Sequence, residues 1–117
     1  MPDRRVVVFL SHADSSALRL AGSCALAAAA LGDRVDVYLF GPAVPAVVAA
    51  AGEGDPDDPA SLLAEQARGA GCRLVACSAS VVEQKVALDD AGRALDAVVG
   101  WPTILEWSRG VVDRYFF

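Results

Sequence analysis

Three cysteines and a single histidine are the side chains of this 117-residue sequence best suited to nucleophilic or metal chemistry. Their spacing matches no zinc or redox motif, and no Cys-x-x-Cys pair occurs, so we expect no metal. Cys72 and Cys77 are predicted at opposite ends of one strand, roughly 16 Å apart at the usual strand rise. A disulfide needs Cα atoms within about 7 Å, so we expect reduced thiols. Cys24, on the apolar face of an alanine-rich helix, and Cys72, where a strand begins, are predicted to be structural.

Cys77 is the strongest candidate for chemistry because it is predicted to end a buried parallel strand directly before a helix. Ligands of open α/β sheets bind at this carboxyl edge. The free N–H groups and the dipole of the next helix favour a thiolate. The small residues Ser78, Ala79 and Ser80 should leave the sulfur accessible and could hold the anion of a persulfide, with no cofactor. The alternative is that Cys77 is a small buried hydrophobic residue, as free cysteine often is.

His12 and Trp101 are predicted at the same edge, after the first and fourth strands. In a sheet of order 2-1-3-4-5 the first and third strands are neighbours, so His12 could approach Cys77 and stabilise its thiolate or shuttle a proton. The alternative, which we favour for catalysis, is an exposed loop histidine that pairs with Asp14. Trp101 could wall the pocket, or it could pack in the core or in a subunit interface.

The elements that position these residues alternate between strand and helix. Continuous β-branched and aromatic runs are typical of strands buried on both faces of a parallel sheet. The predicted strands are Arg4 to Ser11, Val35 to Phe40, Arg73 to Cys77, Leu95 to Val99 and Val111 to Phe117. The predicted helices are Ala17 to Leu31, Pro45 to Ala51, Ala60 to Arg68, Ser78 to Leu88 and Thr103 to Ser108, and Asp89 to Ala94 is predicted as a connection. The helix from Ser78 has Ser78 or Ser80 as its predicted N-cap, and Ser80 with Glu83 suits a capping box. Right-handed crossovers then give a parallel sheet with helices on both faces.

Length and composition favour one domain over residues 1–117. Apolar residues make up 55% of the chain, and the net charge of −5 argues against nucleic acid or a membrane as partner. No segment has the pattern of a signal peptide or a membrane span, so we expect a cytoplasmic protein. The surplus of apolar residues fits a homo-oligomer. A C-terminal apolar group is predicted as an oligomer contact, with a core strand as the alternative: Ile104, Trp107 and Tyr115 to Phe117.

Several competing classes lack their signatures. A phosphatase, arsenate reductase or rhodanese-type loop needs an arginine shortly after its cysteine, and the first arginine after Cys77 is Arg93. A loop that cradles phosphate needs glycines between the first strand and helix, where Ser11 to Ser16 has none, so flavin or dinucleotide binding is poorly supported. A response regulator would carry an aspartate where this chain has Cys77.

Several strings, in order and at matching spacing, resemble the DsrE-like family over nearly the whole chain. They are Leu18-Arg19-Leu20-Ala21, Val35 to Gly41 with Val44, Leu62-Leu63 with Gly69 to Ser80, and Val98 to Gly100 with Ile104 to Trp107 and Val111 to Phe116. The glycine that often follows the cysteine helix of that family is replaced here by the Val86-Ala87-Leu88 region.

The resemblance implies a flavodoxin-like three-layer α/β/α sandwich, with a five-stranded, mainly parallel sheet of order 2-1-3-4-5. It also implies a trimer or hexamer. Members with the cysteine carry persulfide sulfur in dissimilatory sulfur metabolism and tRNA thiolation, which would make Cys77 a sulfurtransferase-type carrier between donor and acceptor proteins. Because a fold does not fix a function, the alternative is a non-catalytic assembly or small-ligand-binding module.

Overall fold

At least one helix connects each strand to the next along the chain, as the sequence predicts. The computed structural model describes residues 4–110 and 113–117. The strands are β1 (Arg5–Leu10), β2 (Arg34–Leu39), β3 (Arg73–Cys77), β4 (Ala97–Val99) and β5 (Asp113–Phe116). The α-helices are α1 (Ser15–Ala30), α2 (Ala43–Glu53), α3 (Ser78–Glu83), α4 (Leu88–Ala94) and α5 (Trp101–Trp107), and a π-helix (Leu62–Ala67) precedes β3. Val111 and Val112, predicted to begin the last strand, lie outside the described residues.

The five strands form one sheet in the order β4-β3-β2-β1-β5, and every pairing is parallel. The predicted order 2-1-3-4-5 is therefore wrong. β3 pairs with β2, where Leu39 lies opposite Ala76, and β5 takes the place beside β1, where Val8 lies opposite Tyr115. Two strands, β1 and β3, that the prediction placed side by side are thus separated by β2.

A charged cluster helps to fix this order. Asp36 of β2 accepts two hydrogen bonds from Arg73 of β3, at 3.1 and 3.0 Å, and one from Arg5 of β1, at 3.2 Å. Arg5 also donates to the backbone oxygen of Trp107, and the guanidinium carbon of Arg73 lies 4.3 Å from the centre of the Trp107 ring. The two arginines neutralise the partly buried Asp36 from both sides, which favours a position of β2 between β1 and β3. Their contacts with Trp107 anchor the end of α5.

The two faces of the sheet are covered unequally. From β1 to β4 the chain steps in one direction, so right-handed crossovers place the first four α-helices and the π-helix on one face. The return from β4 to β5 runs in the opposite direction and brings α5 to the other face. There, Val7, Tyr38, Val75, Cys77 and Ile104 form a small buried cluster, separate from the larger core under the other helices. No helix in the described ranges is long and apolar enough to span a membrane.

The segment after Cys77 differs from the prediction. The helix predicted from Ser78 to Leu88 ends at Glu83, and the connection predicted from Asp89 to Ala94 is wrong because α4 occupies it. Lys85 turns the chain between the two helices with a φ of 56°. This left-handed conformation is costly for a residue with a Cβ atom and breaks a helix. A glycine would adopt it without strain.

Candidate functional site

Cys77 occupies the predicted position but not the predicted environment. It is the last residue of β3 and the N-cap of α3, at the carboxyl edge of the sheet. Its side chain belongs to the small cluster on the α5 side, with Phe40 and Val99 packed against that cluster. The residue is only 2% exposed. The sequence predicted an accessible sulfur, whereas in the structure the return of the chain through α5 covers it.

The other two cysteines are poor nucleophiles. Burial raises the pKa of the Cys24 thiol and of the Cys72 thiol, and the negative charge of Asp36 raises the pKa of Cys72 further. The Cys72 thiol also donates to the backbone oxygen of Ala25, at 3.7 Å. Both pack in the large core, on the face of the sheet opposite Cys77. Their environments agree with the structural roles predicted for them.

The small residues after Cys77 have divergent surroundings. Ser78 and Ala79 are exposed, whereas Ser80 is buried. The Ser80 hydroxyl accepts a hydrogen bond from the backbone N–H of Gly41, at 2.9 Å, and so joins α3 to the turn after β2. Ser80 therefore does not act as the predicted N-cap, and its hydroxyl is committed to a structural contact. Because α3 has only six residues, its dipole supports a thiolate less than the long predicted helix would.

His12 lies apart from Cys77. It follows β1, is exposed, and its Nδ1 atom lies 3.2 Å from the Ser11 hydroxyl. With β2 between β1 and β3, their backbones lie roughly 10 Å apart at the usual strand spacing. The predicted approach of His12 to Cys77 is wrong, since it depended on the strand order. The predicted pairing with Asp14 is also not seen, because the Asp14 carboxylate caps α1 by accepting from the N–H of Ala17 at 3.1 Å.

Trp101 stands at the same edge as Cys77. It is the first residue of α5, and its ring stacks on that of Phe40 with centroids 5.1 Å apart and planes inclined by 22°. The Trp101 side chain remains half exposed, whereas Phe40 packs against the cluster that contains Cys77. The tryptophan therefore covers the edge of the buried cluster and walls the open space beside it.

That open space is a cleft which the sequence analysis did not identify. It has a volume of about 640 Å³ and lies between α5 and the ends of β1, β2 and β5. Its lining includes Phe9, Phe40, Trp101 and Phe116, but not Cys77. Ile104, predicted as an oligomer contact, is buried and closes the base of the cleft. The available signal was an aromatic residue at or near the end of three predicted strands, which the sequence alone could not assign to one face of the sheet.

The described part of the chain contains no group of three His, Cys, Asp or Glu side chains placed to hold a metal ion. Two features at this edge bear on function: Cys77 with the exposed Ser78 and Ala79, and the aromatic cleft lined by Phe40.

The parallel sheet with a cysteine at its carboxyl edge defines a small α/β protein of the flavodoxin-like type. The sequence matches the DsrE/DsrF-like family over residues 4–110, and the chain belongs to this family. The crystal structure of the YchN protein from E. coli is similar, with a TM-score of 0.76 over 97% of this chain and 99% of that chain. At 14% identity this likeness concerns the fold. A search of curated proteins gives no significant match.

Proposed function

We propose that this DsrE-family protein is a cytoplasmic sulfur carrier that holds a persulfide on Cys77, between a donor and an acceptor protein. The observation that carries the proposal is the position of Cys77 at the carboxyl edge of β3, beside the exposed Ser78 and Ala79. Ligands of parallel α/β sheets bind at this edge. Membership of the DsrE/DsrF-like family supports the same chemistry.

The transfer is a balanced thiol–disulfide exchange. The Cys77 thiolate attacks the outer sulfur of a donor persulfide, the donor S–S bond breaks, and the donor leaves as a thiolate. The new S–S bond joins Cys77 to the transferred sulfur. An acceptor thiolate then takes that sulfur by the same step, so no oxidant or cofactor is consumed. The raised pKa of Cys24 and of Cys72 leaves little thiolate to compete.

The burial of Cys77 sets a condition on this function. A sulfur that is 2% exposed must be uncovered before a donor reaches it. The stack of Phe40 on Trp101 is the part of the cover closest to solvent, since Trp101 is half exposed. Sulfur transfer therefore requires an opening at the start of α5, and the docking of a donor protein would supply it.

A second candidate function is a non-catalytic assembly module, and the burial of Cys77 favours it. In this function Cys77 is a packing residue. The chain would form a homo-oligomer, as a trimer or hexamer, through the side of the sheet that carries most helices. Large apolar side chains are exposed on that side: Leu20, Leu31, Val82 and Leu88. Such side chains are covered in many subunit interfaces.

Mass spectrometry of the intact protein after incubation with a sulfane-sulfur donor separates the two functions. A carrier gains one sulfur atom in the wild type and in Cys24→Ser, but not in Cys77→Ser. Circular dichroism of each variant confirms that it is folded. If the wild type takes up no sulfur from small or protein persulfide donors, the carrier function is wrong and the assembly module remains. Light scattering then reports the number of subunits.

A further inference from the structure

We propose that the cleft between α5 and the ends of β1 and β5 binds a small, flat, apolar anion: an aromatic or conjugated ring system that bears a carboxylate or sulfonate. The cleft does not include Cys77, so this proposal is independent of sulfur transfer. Its volume of about 640 Å³ lies within the range of roughly 300–1,000 Å³ that is usual for small-molecule sites. It also lies at the carboxyl edge of the sheet, where such sites occur.

A continuous row of aromatic rings forms one wall of the cleft. Phe116 stacks on Phe9 with centroids 4.8 Å apart and planes inclined by 8°. Phe9 stacks on Phe40 at 6.2 Å and 21°, and Phe40 stacks on Trp101 at 5.1 Å and 22°. The rings come from two neighbouring strands, the end of β2 and the start of α5, yet their planes are nearly aligned. The ring at each end of the row has one face that no other ring of the row covers, and a flat apolar partner can stack there in the offset arrangement that aromatic rings prefer.

The rings at the two ends of the row are incompletely covered. Phe116 is 71% exposed and Trp101 is 51% exposed. When a partner covers large aromatic side chains that are exposed to water at a concave site, the burial of their apolar surface is favourable. Such side chains therefore mark a binding surface. Leu105 of α5, which also lines the cleft, is exposed as well.

The charge of the cleft selects the sign of the ligand. The charged side chains that line it are Arg109 and Arg114, with no aspartate or glutamate among the lining residues. Two cationic side chains in the lining of one cleft, in a chain of net charge −5, favour an anionic ligand.

Arg114 is the principal anion-binding group. Its guanidinium donates to the backbone oxygen of Ser108 at 3.0 Å, which holds it against the end of α5. Its other N–H groups have no hydrogen-bond partner among residues 4–110 and 113–117 and can bind a ligand. Arg109 instead pairs with the carboxylate of Glu106 at 3.5 Å, on an exposed surface where the interaction is weak. The fixed arginine and the ring wall together specify an apolar ring with one anionic group.

Anilinonaphthalene sulfonate and its neutral analogue phenylnaphthylamine test both parts of the site, because they share rings and differ in the anion. We expect saturable binding of the sulfonate at one site in fluorescence and calorimetric titrations, with weaker binding of the neutral probe. Arg114→Gln should weaken sulfonate binding by about tenfold, the usual loss for a charged hydrogen bond, and leave the neutral probe unchanged. Phe116→Ser should weaken both. Arg34→Gln, an exposed arginine at the opposite edge of the sheet, is the matched control.

Cys77→Ser should bind both probes as the wild type does, whether or not the protein carries sulfur. Arg114→Lys, which keeps the charge, should fall between the wild type and Arg114→Gln if Arg114 binds the anion. The proposal is overturned if the two probes bind equally, or if Arg34→Gln and Arg114→Gln behave alike. It is also overturned if light scattering finds a wild-type dimer that Phe116→Ser converts to a monomer, because the cleft is then an interface between copies.

Discussion

Phe40 and Trp101 stack across the edge of the sheet, with the end of β2 contributing one ring and the start of α5 the other. Phe40 packs against the buried cluster that contains Cys77, and Trp101 covers Phe40 from the solvent side. Because α5 covers this face of the sheet, the exposure of the Cys77 sulfur depends on how firmly the start of α5 is held.

Trp101→Ala should therefore make Cys77 more reactive towards alkylating reagents. An aromatic pair contributes about 0.5–1.5 kcal/mol, so the alkylation rate should rise by up to about tenfold. The rate is measured with iodoacetamide in a Cys24→Ser background, with peptide mass spectrometry to locate the label. Leu105→Ala, an exposed apolar residue of the same helix, should leave the rate unchanged. Equal rates in both variants would show that the stack does not cover Cys77.

Asp36→Asn should destabilise the fold by about 1–3 kcal/mol, because it leaves Arg5 and Arg73 without their shared carboxylate in a partly buried cluster. Urea denaturation measures the free energy of unfolding. The matched control is Asp113→Asn, which breaks the exposed pair with Arg4 and should cost at most about 0.5 kcal/mol. A similar cost for both variants would mean that the charges around Asp36 do not hold β1, β2 and β3 together.

Gly22→Ala should destabilise the protein by about 1–3 kcal/mol, the usual cost of overpacking. A Cβ atom at Gly22 would lie 2.6 Å from the Cβ atom of Leu62, at the contact between α1 and the π-helix. Gly92→Ala in α4 is the control, since a Cβ atom there meets nothing within 4 Å. That change should stabilise the protein by up to about 1 kcal/mol. A thermal melt of each variant gives the comparison, and a neutral Gly22→Ala would contradict the close contact.

Lys85→Gly should stabilise the protein by about 1 kcal/mol, because Lys85 holds a left-handed conformation with φ 56°. Glu83→Gly, the same kind of change within α3, should have the opposite effect and cost up to about 1 kcal/mol. Chemical denaturation measures both. Should the two glycine variants lose stability equally, Lys85 does not bear backbone strain.

Tyr38→Phe should leave stability at neutral pH unchanged or raise it by up to about 1 kcal/mol. The Tyr38 hydroxyl is buried and makes no hydrogen bond of standard geometry with the described residues, while the nearby Ser108 hydroxyl donates to the backbone oxygen of Ile104 at 2.7 Å. A loss of more than about 1 kcal/mol in urea denaturation would instead indicate a hydrogen bond to this hydroxyl.

The same variant has a predicted pH dependence. Burial raises the pKa of Tyr38 above its ordinary value, and the charge of Asp36 adds to this. Above about pH 10 the unfolded chain therefore releases this proton before the folded chain does, so the wild type loses stability as the pH rises further. Over that pH range the Tyr38→Phe variant should lose less stability than the wild type. Tyr115→Phe, at an exposed tyrosine, is the control and should follow the wild type.

The amino-acid sequence by itself determined the elements whose pattern is local. The run Arg73–Cys77 ends where the sequence predicts, because an unbroken apolar stretch between a glycine and small residues specifies a buried strand without further help. The sequence segments that resemble the DsrE-like family likewise predicted the α/β fold class. The break at Lys85 was missed because lysine has no local preference for the left-handed conformation that it adopts between α3 and α4.

Only the tertiary structure decided which strands are neighbours and what covers Cys77. The pair Asp36–Arg73 spans 37 residues, and α5 begins 24 positions after Cys77. The periodicity of the sequence shows which side chains are buried, but it does not show which elements bury them. The strands of a parallel sheet are similarly apolar on both faces, so their sequences do not identify the neighbouring strand or the covering helix. The choice of partner rests on contacts between distant residues. For this reason His12 was predicted beside Cys77, the sulfur was predicted to be open, and the aromatic cleft was not predicted.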